Sequence, residues 1–305
     1  MNKIKFISAI LILLIVAAVI IKTSKEPVNE EIYLEPSVSV YLSQKDTKDN
    51  LKIEQYITGT VAAEMPASFA TEALKAQAVC ARTYAFKKLL DHTKYPLGAD
   101  FSDDISCCQA FITQDEFEER HPLSPALYKK IEKAVNDTRG QIMLYNGQPL
   151  DALYSSCCGG QTDSSLYAWG KDVPYLRTVK CPYCKSAKPY KSMQYIPSEQ
   201  ICRQLNVAKP LSIKIIKRSI SGRTTALEVN GKVMSAAAFR SAFNLPSTWW
   251  EFKITPQKVI VYSRGYGHGL GLCQYGANGM AQSGYNYQQI LKHYYGDFSL
   301  YKLPY

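Results

Sequence analysis

The chain has 305 residues, 46% of them apolar and 20% charged. That is the composition of a globular protein with a core, and it excludes a disordered or fibrous chain. The net charge of +10 favours anionic partners such as nucleic acid, anionic lipid or an acidic wall polymer, but the basic residues are scattered and no Lys/Arg run forms a nucleic-acid arm.

Lys3 and Lys5 precede an apolar stretch, Phe6 to Ile21, broken only by Ser8 and closed by Lys22. At 1.5 Å per residue this spans roughly 24 Å, a little short of a bilayer core. It is a signal peptide or a signal anchor. The bulky Val19-Ile20-Ile21 in place of a small-residue cleavage site favours the uncleaved anchor. The lysines then hold residues 1–5 in the cytoplasm, 6–21 span the membrane, and the remainder is extracytoplasmic. Export removes nucleic acid as a partner. The nine cysteines, an odd number, include the pairs Cys107-Cys108, Cys157-Cys158 and Cys181-x-x-Cys184, whose spacing fits either disulfides or metal ligands.

Residues 22–50 read as a polar stalk and a first strand, Ser37 to Leu42, and residues 51–305 as one domain. Leu51 to Val61 has the apolar spacing of an amphipathic helix. Pro66 and Ser68 open a second, Ala-rich helix over about Phe69 to Leu90, whose alanines permit close packing. Strand-turn-strand follows in "QIMLYNGQPLDALYSS" (141–156) and again in "ALEVNGKVM" (226–234), each with an Asn-Gly turn. Pro210 to Ile220 and Lys258 to Ser263 also read as strands, and Tyr287 to Tyr295 as a terminal helix. The fold class expected is α+β: a single mixed catalytic domain with a groove, behind a transmembrane anchor helix.

Three stretches carry candidate chemistry. Glu64 lies between Val61-Ala62-Ala63 and Met65-Pro66, so burial should raise its carboxyl pKa and suit it to proton transfer, while a helix N-terminus beside it would lower that pKa. Lys75 and Arg82, two turns apart on the following helix, share a face that could line a groove for an anionic ligand, or could be an ordinary solvated face. In "SRGYGHGLGLCQYG" (263–276), glycines alternate around His268 and allow close backbone approach to a ligand or another strand. Neighbouring tyrosines, Tyr275 among them, suit a sugar-binding surface. In "YSSCCGGQTDSS" (154–165), Ser155, Ser156 and Thr162 are nucleophiles, ligand donors or plain loop hydroxyls. No Gly-x-Ser-x-Gly elbow supports a serine hydrolase.

Taken together, "EMP" (64–66) with "EALKAQAVCARTYA" (72–85), "CCQAF" (107–111), "LDALYSSCCGGQT" (150–162) and "GYGHGLGLCQYGANGMAQSGYNYQQILKHYY" (265–295) resemble, in order, the motifs of the SpoIID family, which includes proteins described as amidase enhancers. The similarity runs from about Leu51 to Tyr295. The resemblance implies a membrane-anchored lytic transglycosylase that cleaves peptidoglycan glycan strands lacking stem peptides and leaves 1,6-anhydro ends, during forespore engulfment. The alternative within the family is a non-catalytic enhancer that binds cell wall and activates a partner hydrolase. The family's catalytic acid falls on Glu64. Lys75, Arg82, Tyr84, His268, Gln274 and Tyr275 are the expected substrate-binding residues. The implied partners are a SpoIIP-type amidase/endopeptidase, which removes stem peptides first, and a SpoIIM-type membrane protein. The reaction requires no cofactor. Clostridial relatives hold a zinc ion through His and Cys residues at the "CCQAF" stretch. Here Pro96 and Ser102 occupy two of those positions, leaving Cys107 and Cys108, although Cys157, Cys158, Cys181 or Cys184 could complete a different site.

Overall fold

A computed structural model describes residues 34–122 and 124–305. The expected anchor lies outside the described residues. Among the described residues, no helix is long and apolar enough to cross a membrane.

The compact unit runs from Glu35 to Pro304 and is α+β. In chain order, β1 (Ser37–Leu42) and β2 (Thr47–Lys52) lead into α1 (Ile53–Glu64) and α2 (Thr71–Leu90). Next come β3 (Phe101–Ser102), α3 (Gln114–Arg120), α4 (Ala126–Asp137), β4 (Gln141–Tyr145), β5 (Gln148–Pro149), β6 (Tyr154–Ser155) and α5 (Ser165–Trp169). A second group comprises β7 (Lys191–Pro197), α6 (Ser198–Leu205), β8 (Ile213–Arg218), β9 (Thr224–Val229), β10 (Lys232–Ser235), α7 (Ala236–Ala242), β11 (Trp250–Ile254) and β12 (Lys258–Arg264). The chain ends with β13 (Leu272–Cys273), α8 (Gln274–Gln282), α9 (Tyr287–Tyr295) and β14 (Ser299–Lys302).

The alanines of α2 explain the first half of the molecule. Ala73, Ala76, Ala78, Ala81 and Ala85 are buried, as are Leu74, Val79 and Cys80, and they point in several directions around the helix rather than along one stripe. A helix apolar all round is buried all round, and α1, α4, α8, α9 and β4 pack against it. β1 forms where a first strand was expected, and it pairs antiparallel with β2 and parallel with β3 within the compact unit.

The second half has its own core. Trp250, Phe239, Phe243, Leu227, Val229, Ile201, Val259 and Val261 form one buried cluster between the sheet β11-β12-β7 and the sheet β10-β9-β8. The Asn230-Gly231 hairpin forms as its sequence predicts. The first Asn-Gly stretch differs. β4 turns back only as far as Pro149, and β6 pairs parallel with β13, Leu272 against Tyr154 and Cys273 against Ser155. That pairing draws two sequence motifs together and builds one wall of the groove described next.

Candidate active-site groove and thiol cluster

An open groove of about 550 Å³ is lined by Ala62 to Ala67, Phe117, His121, Tyr154 to Ser156, Tyr266 to His268, Gln274 and Tyr275. Three of the sequence motifs converge there. Glu64 is the one carboxylate among its lining residues.

Glu64 is the last residue of α1, and the next helix begins only at Thr71. The helix end beside it is therefore a C-terminus, whose dipole disfavours a carboxylate, and the opposing influence expected from a helix N-terminus is absent. Burial raises its carboxyl above the ordinary value. A hydrogen bond from the Ala110 N–H, at 2.9 Å, and one from the Tyr154 hydroxyl offset part of that rise. The "CCQAF" stretch thus acts as a brace. Ala110 donates to Glu64, and the Gln109 carboxamide accepts from the Tyr154 hydroxyl at 2.9 Å. Tyr154 is pushed well above its ordinary value by burial and then by the Glu64 charge, so it keeps a single proton to share between Gln109 and Glu64.

His268 opens onto the groove. Its Nδ1 accepts from the Leu270 N–H at 3.0 Å. The protein packed around it, then Arg240 and Arg223, push the imidazole below its ordinary value, so the ring is neutral at pH 7. The residue is exposed at the groove surface, so solvent screening moderates that shift. Gln274 is buried and donates to Gln77 on α2 at 3.3 Å. Tyr275 packs edge-on against Phe69, centroids 4.9 Å apart, and its N–H donates to the Ser156 carbonyl. The Ser155 hydroxyl is buried beside the groove with no protein hydrogen-bond partner. Thr162 is elsewhere and donates to the Arg177 carbonyl.

Three of the expected substrate-binding residues, Arg82, Lys75 and Tyr84, lie outside the lining of this groove. Arg82 is fully buried and bidentate to Glu54, with Nε to Oε1 at 2.9 Å and Nη2 to Oε2 at 2.6 Å. It also donates to the carbonyls of Gln141 and Val135. The helix face it shares with Lys75 is turned inward, because α2 is enclosed on most sides. Lys75 is held by Glu72 at 3.0 Å and Asp137 at 3.3 Å. Neither residue lines the groove, and neither does Tyr84, which carries Lys88 over its ring. Phe117 and His121 were not foreseen as lining residues, since the short helix that bears Phe117 and ends at the His121 C-cap has only its Thr113 capping box as a local signal.

Beside the groove, Cys158, Cys181, Cys184 and Cys273 are buried, with sulfur atoms all within 4.8 Å of one another. A tetrahedral Zn–S₄ site, with bonds of about 2.3 Å, separates its sulfurs by roughly 3.8 Å, so this cluster could hold a structural zinc. Hydrogen bonds among the thiols hold Cys184 and Cys181 below the ordinary value and Cys158 above it, and burial pushes Cys273 above it. Cys107 and Cys108 lie outside it. Cys107 is exposed against the Asp104 carbonyl, and Cys108 faces the Tyr56 hydroxyl at 4.0 Å. The residues present there do not fit the clostridial type of zinc site.

A family model described as stage II sporulation protein, SpoIID, matches residues 41–145. The chain is 34% identical over 267 residues to stage II sporulation protein D of Bacillus subtilis (strain 168), covering 85% of this chain and 77% of that protein. It is 31% identical over 264 residues to the protein of that name from Bacillus amyloliquefaciens, with the same two shares. The amidase enhancer of Bacillus subtilis is 26% identical over 302 residues, covering 78% of this chain and 39% of that protein. With a relative of that identity covered over most of its length, the chain belongs to the SpoIID family of stage II sporulation proteins.

Proposed function

We propose that this protein is a membrane-anchored, extracytoplasmic lytic transglycosylase that cleaves peptidoglycan glycan strands lacking stem peptides during forespore engulfment. The observation that carries this reading is Glu64: the one carboxylate among the residues lining an open groove, with its carboxyl raised by burial. Glycoside hydrolysis ordinarily needs two carboxylates flanking the bond. An internal transglycosylation needs one group. The Glu64 carboxyl protonates the leaving glycosidic oxygen, and its carboxylate then takes the proton from the sugar's own 6-hydroxyl as that oxygen attacks C1. The nucleophile is already tethered, which supplies proximity. Tyr266 and Tyr275 offer aromatic faces to sugar rings, and Ser155 and Gln274 offer hydrogen bonds. Three other acids of the domain, Glu72, Asp100 and Asp103, lie outside the groove lining and accept hydrogen bonds from the backbone N–H groups of Tyr287, Ser39 and Ser43.

A SpoIIP-type amidase/endopeptidase that strips stem peptides, and a SpoIIM-type membrane protein, are the partners this reading implies. The likeness to an amidase enhancer favours a second reading, in which the groove binds wall and the protein activates a partner hydrolase. Mass spectrometry of products from denuded glycan treated with the full-length protein separates the two. Anhydro-ended fragments are expected. Intact glycan bound without cleavage would support the enhancer, and reducing muramic acid ends would make the protein a hydrolase.

A further inference from the structure

The thiol cluster is joined to the groove through backbone, not through any ligand-contacting side chain. Cys158 lies two residues after Ser156. Its predecessor Cys157 exchanges both backbone hydrogen bonds with Tyr266, at 3.0 and 2.7 Å. Cys273 caps α8, its sulfur accepting from the Gly276 N–H at 3.3 Å, and it immediately precedes Gln274 and Tyr275. Its sulfur also accepts from the Cys158 N–H at 3.2 Å. Cys181 and Cys184 flank a tight turn, Pro182 to Cys184, a spacing that lets both sulfurs point to one centre. Three segments far apart in sequence thus meet at four sulfurs.

A second observation concerns charge. Arg223 is fully buried, and its Nη2 donates to the Cys158 carbonyl at 2.5 Å. Its Nε and Nη1 have no hydrogen-bond partner. The Asp163 carboxylate favours the Arg223 charge, and the Arg223 hydrogen bond to the Cys158 carbonyl braces the backbone of one segment of the cluster. The Tyr294 hydroxyl, 3.1 Å from the Cys181 sulfur, and the N–H groups on Cys273 supply the outer hydrogen bonds that orient metal-bound thiolates.

We propose that Cys158, Cys181, Cys184 and Cys273 bind one Zn²⁺ as thiolates, and that this ion fixes the groove wall formed by Ser155–Ser156, Tyr266–His268 and Gln274–Tyr275. Binding displaces the thiol protons and involves no redox step. The ion takes no part in the reaction and acts through position. The inference stands whatever the groove binds.

The test begins with elemental analysis of the full-length protein purified without added metal. One zinc per chain is expected, lost in Cys184→Ala and kept in Cys202→Ser, whose thiol lies on α6. Substitution with Co²⁺ should give thiolate-to-cobalt charge transfer and tetrahedral d–d bands. Because Cys184→Ala is at risk of misfolding, the wild-type protein is also stripped with a mercurial and a chelator and followed by amide hydrogen exchange. Protection should fall at residues 155–158, 266 and 274–276, hold in α2, and return with Zn²⁺. A folded protein with no metal, with two disulfides among these cysteines, or with iron in place of zinc overturns the proposal. So does a stripped protein whose wall amides stay protected.

Discussion

Glu64 is caught between desolvation, which favours the neutral carboxyl, and the Ala110 N–H, which favours the carboxylate. That balance suits a group that must give a proton and take it back. Replacing it by Gln keeps the shape and removes both proton steps, so turnover on denuded glycan should fall by roughly 10²–10⁴-fold, with binding retained. The same substitution makes a stability prediction of known sign. Because the folded-state pKa is raised, the wild type is most stable below the unfolded carboxyl pKa and loses stability as pH rises through the folded value. Glu64→Gln should therefore melt at a higher temperature than wild type at pH 7, and the difference should vanish in acid. A Gln variant that melts lower at pH 7 would mean that the carboxylate, not the neutral acid, is the form the fold prefers. The rate should likewise fall on the alkaline side, as the acid form is lost.

The groove is held in place by two structural devices. The Arg82–Glu54 pair ties α2 to α1, the helix that ends in Glu64, and reaches on to Val135 and Gly140. Arg82→Met would leave the Glu54 carboxylate buried without its guanidinium, at a cost of about 3–5 kcal/mol measurable by urea unfolding. Glycan affinity of the folded fraction should be unchanged, whereas a ligand-contacting arginine would cost affinity as well. The glycine run is the other device. Gly271 has φ +63° and a Cβ there would sit 1.9 Å from the Leu153 carbonyl oxygen. Gly271→Ala should lose about 1–3 kcal/mol to backbone strain alone and unpair β6 from β13. That run was legible as a place of close approach: Gly265, Gly267 and Gly271 approach residues 153–159, and Gly269 approaches the Arg223 guanidinium. Glu64, His268, Gln274 and Tyr275 were legible because motif and chemistry coincide at them, and the terminal helix because Asn286 caps an amphipathic stretch. Arg82 misled because two-turn spacing identifies a shared face without saying which way the face turns. Helix α4, with Tyr128, Ile131, Ala134 and Val135 buried, had a 3.6-residue period that could have been read. Cys273 was invisible as a member of the thiol cluster because its partners lie about 90 and 115 residues away, a distance the β6–β13 pairing helps to close.

Across the whole molecule, the charge of +10 and the groove are separate features. The groove walls hold no lysine or arginine; its ionisable lining residues are Glu64, His121, His268 and three tyrosines. Lys75 and Arg82 are held in ion pairs with Glu72, Asp137 and Glu54. Recognition of a glycan in such a groove rests on ring stacking and neutral hydrogen bonds, which salt screens little. Net positive charge still draws an anionic wall polymer toward the protein, but that attraction is long-ranged and decays over about 10 Å at 0.1 M salt. Raising salt from 50 to 500 mM should therefore slow association and leave dissociation nearly unchanged. The total loss of affinity for denuded glycan should stay below about fivefold, the worth of a single exposed ion pair. A tenfold or greater loss, carried by faster dissociation, would mean that a lysine or arginine grips the muramic acid carboxylate directly, and the binding surface would have to extend beyond these walls to reach one.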